Sequence, residues 1–284
     1  MIGRRYVSRL AVAGCCLAVG IEALAASTLE YRLVDSNVLV NAPNPREVTV
    51  YLPDGYADSD MLYPVAYFMH GTGVDNRRPF DGFYDGAADR VIASGDAHPL
   101  IIVAPHLPRW VLFGQEPVPQ ESWIVDEVMP FIEAAYRVDR RRERRAVMGQ
   151  SSGGNTAVHF ALKYDELFSV VGLLAPALFV SGLPDPTADG HDDARFPLDI
   201  WMWYGTNDFV VGPPAYAEFV DFLDSHELAH TDHVTGGDHF PGRTEAELML
   251  TYVSDGLGPP SLVPTAVSTR GKLSTTWASM KSNM

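Results

Sequence analysis

Apolar positions along the chain fall into two alternating spacings. Residues 65–69 (Val-Ala-Tyr-Phe-Met) and 100–103 (Leu-Ile-Ile-Val) are short unbroken apolar runs, the pattern of strands covered on both faces. Between them, residues 82–93 carry helical spacing, and residues 122–136 form a stronger amphipathic pattern with Ile124, Val128, Phe131, Ile132 and Ala135 on one side. Further strands are predicted at 146–148, 169–174, 200–204 and 229–234, and helices at 153–163, 215–225 and 245–253. The earlier segments 29–34, 38–40 and 48–52 are short, β-rich and divided by Asn and Pro, as in an antiparallel start. Short antiparallel strands followed by β-α alternation predict the α/β class, with a mostly parallel central sheet and helices on both faces. Residues 176–197 read as an irregular insertion rich in Pro, Gly and Asp.

The two ends break this pattern. Arg4, Arg5 and Arg9 precede an apolar stretch at 10–25 that closes on Ala23-Leu24-Ala25. That is the layout of a signal peptide, residues 1–25, with cleavage after Ala25 and a secreted or periplasmic destination. The stretch is short and contains Glu22, so no membrane span is expected in the mature form. Residues 26–255 then make one catalytic domain. Residues 256–284, rich in Pro, Ser and Thr and without periodicity, are expected to be a loosely ordered tail. Both cysteines, Cys15 and Cys16, lie inside the export segment, leaving no disulfide and no cysteine nucleophile. A net charge of −15 excludes nucleic acid as a partner, since phosphate binding needs a basic face. The arginines between 140 and 145 read as a solvated turn between a helix and a strand.

The sharpest chemical feature is Gly149-Gln150-Ser151-Ser152-Gly153, directly after a buried strand and before a helix. This Gly-x-Ser-x-Gly reads as a nucleophile elbow: the turn is so tight that flanking positions must be small, and the serine is held strained at the sheet edge. An activated serine needs a base, and the base needs an orienting carboxylate. The loop after strand 200–204 supplies Asp208, and the loop after strand 229–234 supplies His239. Rivals are less well placed. Asp199 begins its strand, Asp221 and Asp224 lie in a helix, and Asp238 adjoins the histidine. His226 precedes the strand, while His230 and His233 lie within it. His70-Gly71-Thr72-Gly73 follows strand 65–69, and its glycines free the backbone to turn N–H groups toward a reacting carbonyl. The oxyanion donors are accordingly predicted at the backbone of Thr72 and Ser152, with His70 in a structural, hydrogen-bonded role. Despite nine histidines, no ligand set has metal spacing, and His191-Asp192-Asp193 reads as an acidic surface loop. No glycine-rich nucleotide loop follows the first strands. Neither metal nor cofactor is expected.

These residues resemble the esterase D-like esterases of the α/β-hydrolase superfamily. The resemblance spans about residues 51–253. It rests on Tyr63-Pro64-Val65 leading into His70-Gly71-Thr72-Gly73, on residues 127–138, on Arg144-Arg145-Ala146 leading into the elbow, and on Gly153-Gly154. That family includes feruloyl and acetylxylan esterases, enterochelin esterases, S-formylglutathione hydrolases and mycolyltransferases. The resemblance implies an α/β-hydrolase fold with Ser151, His239 and Asp208 as the triad. One departure is the histidine segment: the family often has Gly-Gly-His followed by Asp and Trp, and here Gly237-Asp238-His239-Phe240 stands instead. Trp110, Phe113 and Trp123 are candidates for an aromatic wall that binds substrate, and His106 lies where the active-site edge is expected.

The leading expectation is an exported serine carboxylesterase acting through an acyl-enzyme on a small-molecule or polysaccharide-linked ester. The alternatives are acyl transfer to a sugar or lipid alcohol, and a catalytically silent binding protein on the same fold. The N-terminal reading is directly testable. Mass spectrometry of protein recovered outside the cytoplasm should give a chain beginning near Ala26 and free of cysteine; an N-terminal, diacylglycerol-modified Cys15 would overturn cleavage after Ala25.

Overall fold

A computed structural model of the protein describes residues 27–39, 44–107, 118–178, 180–186 and 197–262. The antiparallel start consists of β1 (Thr28–Val34) and β2 (Arg46–Leu52). After the two-residue β3 (Met61–Leu62), the fully buried β4 (Val65–Met69) is followed by α1 (Tyr84–Ser94) and β5 (Ile101–Pro105). A long helical stretch comes next: α2 (Val118–Ser122), a π-helical segment (Trp123–Val128) and α3 (Met129–Ala135). Then β6 (Arg145–Gln150), α4 (Ser152–Lys163), β7 (Val170–Leu174), β8 (Asp199–Gly205), α5 (Pro213–Ser225), β9 (His230–Thr235) and α6 (Arg243–Leu257) alternate, before the short β10 (Ser261–Leu262).

Among the described residues the main sheet has eight strands in the order β1-β2-β5-β4-β6-β7-β8-β9. The pairs β1–β2 and β2–β5 are antiparallel and all the others are parallel. Alternation along the buried strands splits the core in two. Val65, Tyr67 and Met69 of β4 face one cluster with Trp123, Ile132, Phe160 and Phe219 from the helices of that side. Ala66 and Phe68 face the other, with Tyr84, Ala88, Met249 and Val253 from α1 and α6. Period-two alternation inside an unbroken apolar run is what a strand needs when helices cover both faces. The expected class, α/β with a mostly parallel sheet, is the architecture observed.

The differences from expectation have local causes. Residues 38–39 form no strand, because the Ser36 hydroxyl accepts the N–H groups of Val38 and Leu39 and diverts them from a ladder; Val40 lies outside the described residues. The helix expected from residue 82 begins at Tyr84, since Gly82 has φ +81°. The turn before Pro130 is π-helical: the Met129 N–H reaches the Ile124 carbonyl, and proline cannot donate in the next turn. The tail does not start at 256. Helix α6 continues to Leu257, and β10 pairs with β3 while the Ser261 hydroxyl donates to Asp139. Its lack of periodicity concealed a two-residue strand whose order comes from its partner. Residues 1–25, expected to be an export segment, residues 263–284, Trp110, Phe113 and His191-Asp192-Asp193 all lie outside the described residues. No helix among the described residues is long and apolar enough to cross a membrane.

One buried ionic cluster fastens the long helical stretch to α4. Glu121 is buried, and its carboxylate accepts from His159 at 2.7 Å, Lys163 at 2.5 Å and Tyr164 at 3.1 Å. Burial alone would raise this carboxyl, but the hydrogen bonds and charges of His159 and Lys163 outweigh it and hold the pKa at about 2. Because the folded value lies below the ordinary 4.5, the stabilisation is complete above that pH and is lost as pH falls toward about 2. Glu121→Gln should therefore lower stability by about 1–2 kcal/mol at neutral pH. In chemical denaturation, the gap between variant and wild type should close on acidification across that window.

Candidate active site

Ser151 sits between the end of β6 and the first residue of α4, with φ 55° and ψ −126°. A non-glycine residue there stores strain of about 1–3 kcal/mol and persists only when its surroundings fix it. They do so on both sides of the peptide. The Ser151 N–H donates to the Leu174 carbonyl at 3.0 Å, and its own carbonyl accepts from Gly154 and Ala177 at 2.9 and 2.8 Å. The neighbouring glycines are steric requirements. A Cβ on Gly153 would lie 2.0 Å from the Met69 carbonyl oxygen, and one on Gly149 would lie 2.2 Å from that of Gly153. Strand β4, strand β6 and the start of α4 thus touch backbone to backbone, leaving the serine side chain half-buried at the sheet edge.

His239, 5% exposed, places Nε2 2.9 Å from Ser151 Oγ and Nδ1 2.8 Å from Asp208 Oδ2. The ring donates from Nδ1 to the carboxylate, which leaves Nε2 free to accept the serine proton. Asp208 is itself fully engaged. Oδ1 accepts the N–H groups of Val210 and Val211 at 2.8 and 3.0 Å, and Oδ2 also accepts the Tyr216 hydroxyl at 2.8 Å. Burial would raise the Asp208 carboxyl, but the hydrogen bonds from His239, Val211, Tyr216 and Val210 together keep it below the usual carboxylate range. Tyr216, buried in the first turn of α5 behind Gly212-Pro213-Pro214, was not singled out by sequence; an apolar-looking helix face gives no sign that one ring carries a hydroxyl to the acid.

The other rim comes from the loop after β4. Gly71 approaches the serine so closely that a Cβ there would lie 3.3 Å from Ser151 Cβ. His70 is buried, its Nε2 accepts the Leu107 N–H at 2.9 Å, and Nδ1 therefore donates to the Gly71 carbonyl at 3.0 Å. Burial lowers its pKa and keeps the ring neutral for both bonds. In a trans peptide the next N–H points opposite to the carbonyl, so His70 also fixes the direction of the Thr72 N–H. The Thr72 hydroxyl meets the Ser152 hydroxyl at 2.8 Å and ties this loop to the start of α4, where the first N–H groups have no helical acceptor. His106 bonds Asn76 at 2.9 Å behind the loop, while Asn76 donates to Glu47 and Thr49. Histidine 106 thus faces the loop's support.

Other sequence candidates fall elsewhere. Trp123 is fully buried in the core with Arg46 stacked on its ring at 5.5 Å, so it is no substrate wall; the amphipathic helix turns that position inward. His233 stacks on Trp201 at 6.0 Å, and Asp238 is exposed, accepting the Phe240 N–H at 2.8 Å.

The loops carrying Asp208 and His239 share a junction. Thr206 N–H donates to the Thr235 carbonyl at 2.8 Å and Asn207 N–H to that of Gly237 at 3.0 Å. A Cβ on Gly205 would lie 2.0 Å from the Gly237 oxygen, whereas one on Gly236 would meet nothing within 4 Å. Gly205→Ala should therefore destabilise by about 2–3 kcal/mol, and Gly236→Ala by no more than about 0.5 kcal/mol. Equal urea midpoints for the two variants would contradict this packing.

Comparison with known proteins places this chain in a family. The family described as "Putative esterase" matches residues 41–234. Over 126 residues the chain is 35% identical to Esterase Rv1288 of Mycobacterium tuberculosis, covering 41% of this chain and 26% of that protein. Over 150 residues it is 30% identical to an endo-1,4-beta-xylanase/feruloyl esterase of Xylanibacter ruminicola, covering 49% and 21%. The matched stretches span about a quarter or less of those relatives' length. A solved ferulic acid esterase superposes with a TM-score of 0.70 at 24% identity, covering 82% of this chain and 99% of that one. The ferulic acid esterase of the anaerobic fungus Anaeromyces mucronatus gives 0.68 at 23%, covering 84% and 94%. These structural likenesses establish the fold, and the match over residues 41–234 establishes that the chain belongs to this esterase family, the esterase D-like α/β-hydrolases.

Proposed function

We propose that this protein is an exported serine carboxylesterase that hydrolyses carboxylic esters through an acyl-enzyme on Ser151. The observation that carries the reading is the continuous row from Ser151 Oγ to His239 Nε2 and from Nδ1 to Asp208, at 2.9 and 2.8 Å, beside the N-terminus of α4. In the first half-reaction His239 takes the Ser151 proton as Oγ adds to the ester carbonyl. The backbone N–H groups of Thr72 and Ser152 serve the developing oxyanion. Collapse breaks the bond to the alcohol oxygen, which leaves with the proton from His239. In the second half-reaction water adds to the acyl-serine, giving up its proton to His239, and the carboxylic acid departs while Oγ recovers the proton. Asp208 holds the imidazole in the required tautomer and stabilises the imidazolium without accepting its proton.

The relatives' names, feruloyl and ferulic acid esterase, favour an aromatic acid as the acyl part and a polysaccharide-linked ester as one source of substrate. Export rests on Arg4, Arg5 and Arg9 ahead of the apolar stretch that ends at Ala25.

Ser151→Ala and His239→Ala should each lower kcat/KM for an activated ester by about 10⁴-fold, and a fluorophosphonate should label only protein that retains Ser151. His233→Ala should change it less than about threefold, because that ring stacks on Trp201 away from the row. Near wild-type turnover by the serine variant would sink the reading. Tyr216→Phe should cost about three- to tenfold, chiefly in kcat, by removing one donor from Asp208. The depressed Asp208 value contributes stability above the ordinary carboxylate range that is lost as pH falls through the folded value. With one donor fewer that value rises, so Tyr216→Phe should unfold at a higher pH than wild type in acid titration.

A further inference from the structure

Two aromatic rings stand uncovered beside the proposed base. Phe209 follows Asp208 and is 74% exposed; Phe240 follows His239 and is 65% exposed. They come from separate loops, yet their centroids are 6.4 Å apart at an interplanar angle of 55°. Phe240 also meets the His239 ring edge to face at 5.7 Å. Single exposed apolar side chains are ordinary on any surface. Two phenyl rings converging beside a reactive histidine form an apolar patch at a reactive centre, and Val210, next in the chain to Phe209, is also 54% exposed.

The backbone that displays them is held. Asp208 Oδ1 accepts the N–H groups of Val210 and Val211, and Asp238 Oδ1 accepts that of Phe240. The Thr206–Thr235 and Asn207–Gly237 bonds join the two loops. The rings are thus presented on a fixed frame, and a ligand that covers them orders little additional backbone.

We propose that Phe209 and Phe240 form a subsite for the apolar ring face of the ester's alcohol portion. The inference rests on the esterase reading and adds to it which side of the ester these residues meet. Its logic is geometric. The carbonyl oxygen belongs on the side of Gly71 and Thr72, whereas the alcohol oxygen must face His239 Nε2 to receive its proton. The group carried by that oxygen therefore leaves across the histidine's rim, where Phe240 and Phe209 stand. An aromatic face accepts either an aryl ring or the C–H face of a pyranose, since both present apolar area of similar shape.

The test compares kcat/KM for three acetates with leaving alcohols of similar basicity: methyl acetate, benzyl acetate and the 6-O-acetyl ester of methyl glucoside. The wild type should favour at least one ring-bearing ester over methyl acetate. In Phe209→Ala and Phe240→Ala that ratio should fall about tenfold per ring, while Phe209→Tyr and Phe240→Tyr should retain it. The arm that falls identifies an aryl or a sugar alcohol. The ratio of methyl ferulate to methyl acetate, which varies the acyl part alone, should stay constant. Unchanged alcohol ratios in the double alanine variant overturn the subsite, and so does a fall confined to the ferulate ratio, which moves the rings to the acyl side. Both results require an active wild type and leave the esterase reading standing. A wild type that hydrolyses none of these esters and takes no fluorophosphonate label at Ser151 sinks both. Thermal midpoints within a few degrees of wild type are expected, because both rings are exposed.

Discussion

Backbone contact between the strand β6–α4 turn and strand β4 governs the placement of everything else. The Gly153 Cα is pressed against the Met69 carbonyl and Gly149 against that of Gly153, and the chain turns between them with Ser151 at positive φ. Strain of this kind is stable because three backbone hydrogen bonds and two buried cores over-determine it. The same contact brings the loop after β4 to the serine, so the two prospective oxyanion donors are set by one packing event.

The Asp208–His239 pair is positioned by a second device. Asp208 binds its own loop through Val210 and Val211, the helix behind it through Tyr216, and the histidine through its remaining position. A carboxylate with four donors has little freedom to rotate, and the imidazole it orients inherits that restriction. His70 plays a comparable part across the cleft: its two ring nitrogens lock the Gly71 peptide from behind. Neutral and charged groups are thereby sorted by hydrogen bonding, with burial opposing the charge on Asp208 and favouring neutrality on His70.

The fold was largely legible because the buried strands are continuous apolar runs and the helices are amphipathic on opposite sides. The positions of Ser151, Asp208 and His239 at strand ends could be read from chain order, and the structure brings these three together. What could not be read has a common physical origin in contacts between residues distant in sequence. Tyr216 looks like core until its hydroxyl finds Asp208, and Trp123 looks like a platform until the helix turns it inward. Residues 261–262 look like tail until Met61 and Leu62 supply a partner. Residues 38–39 failed the other way: strand-like side chains lost their ladder to one local hydroxyl, Ser36. Glu121 likewise carries no signal in its own segment, since its three partners all come from around α4.

The seam between residues 205–207 and 235–237 has a consequence for how this scaffold can be altered. Asp208 and His239 are mounted on one joined backbone unit, so a change that shifts one loop carries the other with it and preserves their spacing. Side-chain changes at 209–211 and at 240 that keep the backbone N–H groups would remodel the rim while leaving that unit whole. A single extra methyl group at 205 would break it. For anyone grafting new ester preferences onto this chain, the permissive and forbidden positions are separated by only three or four residues.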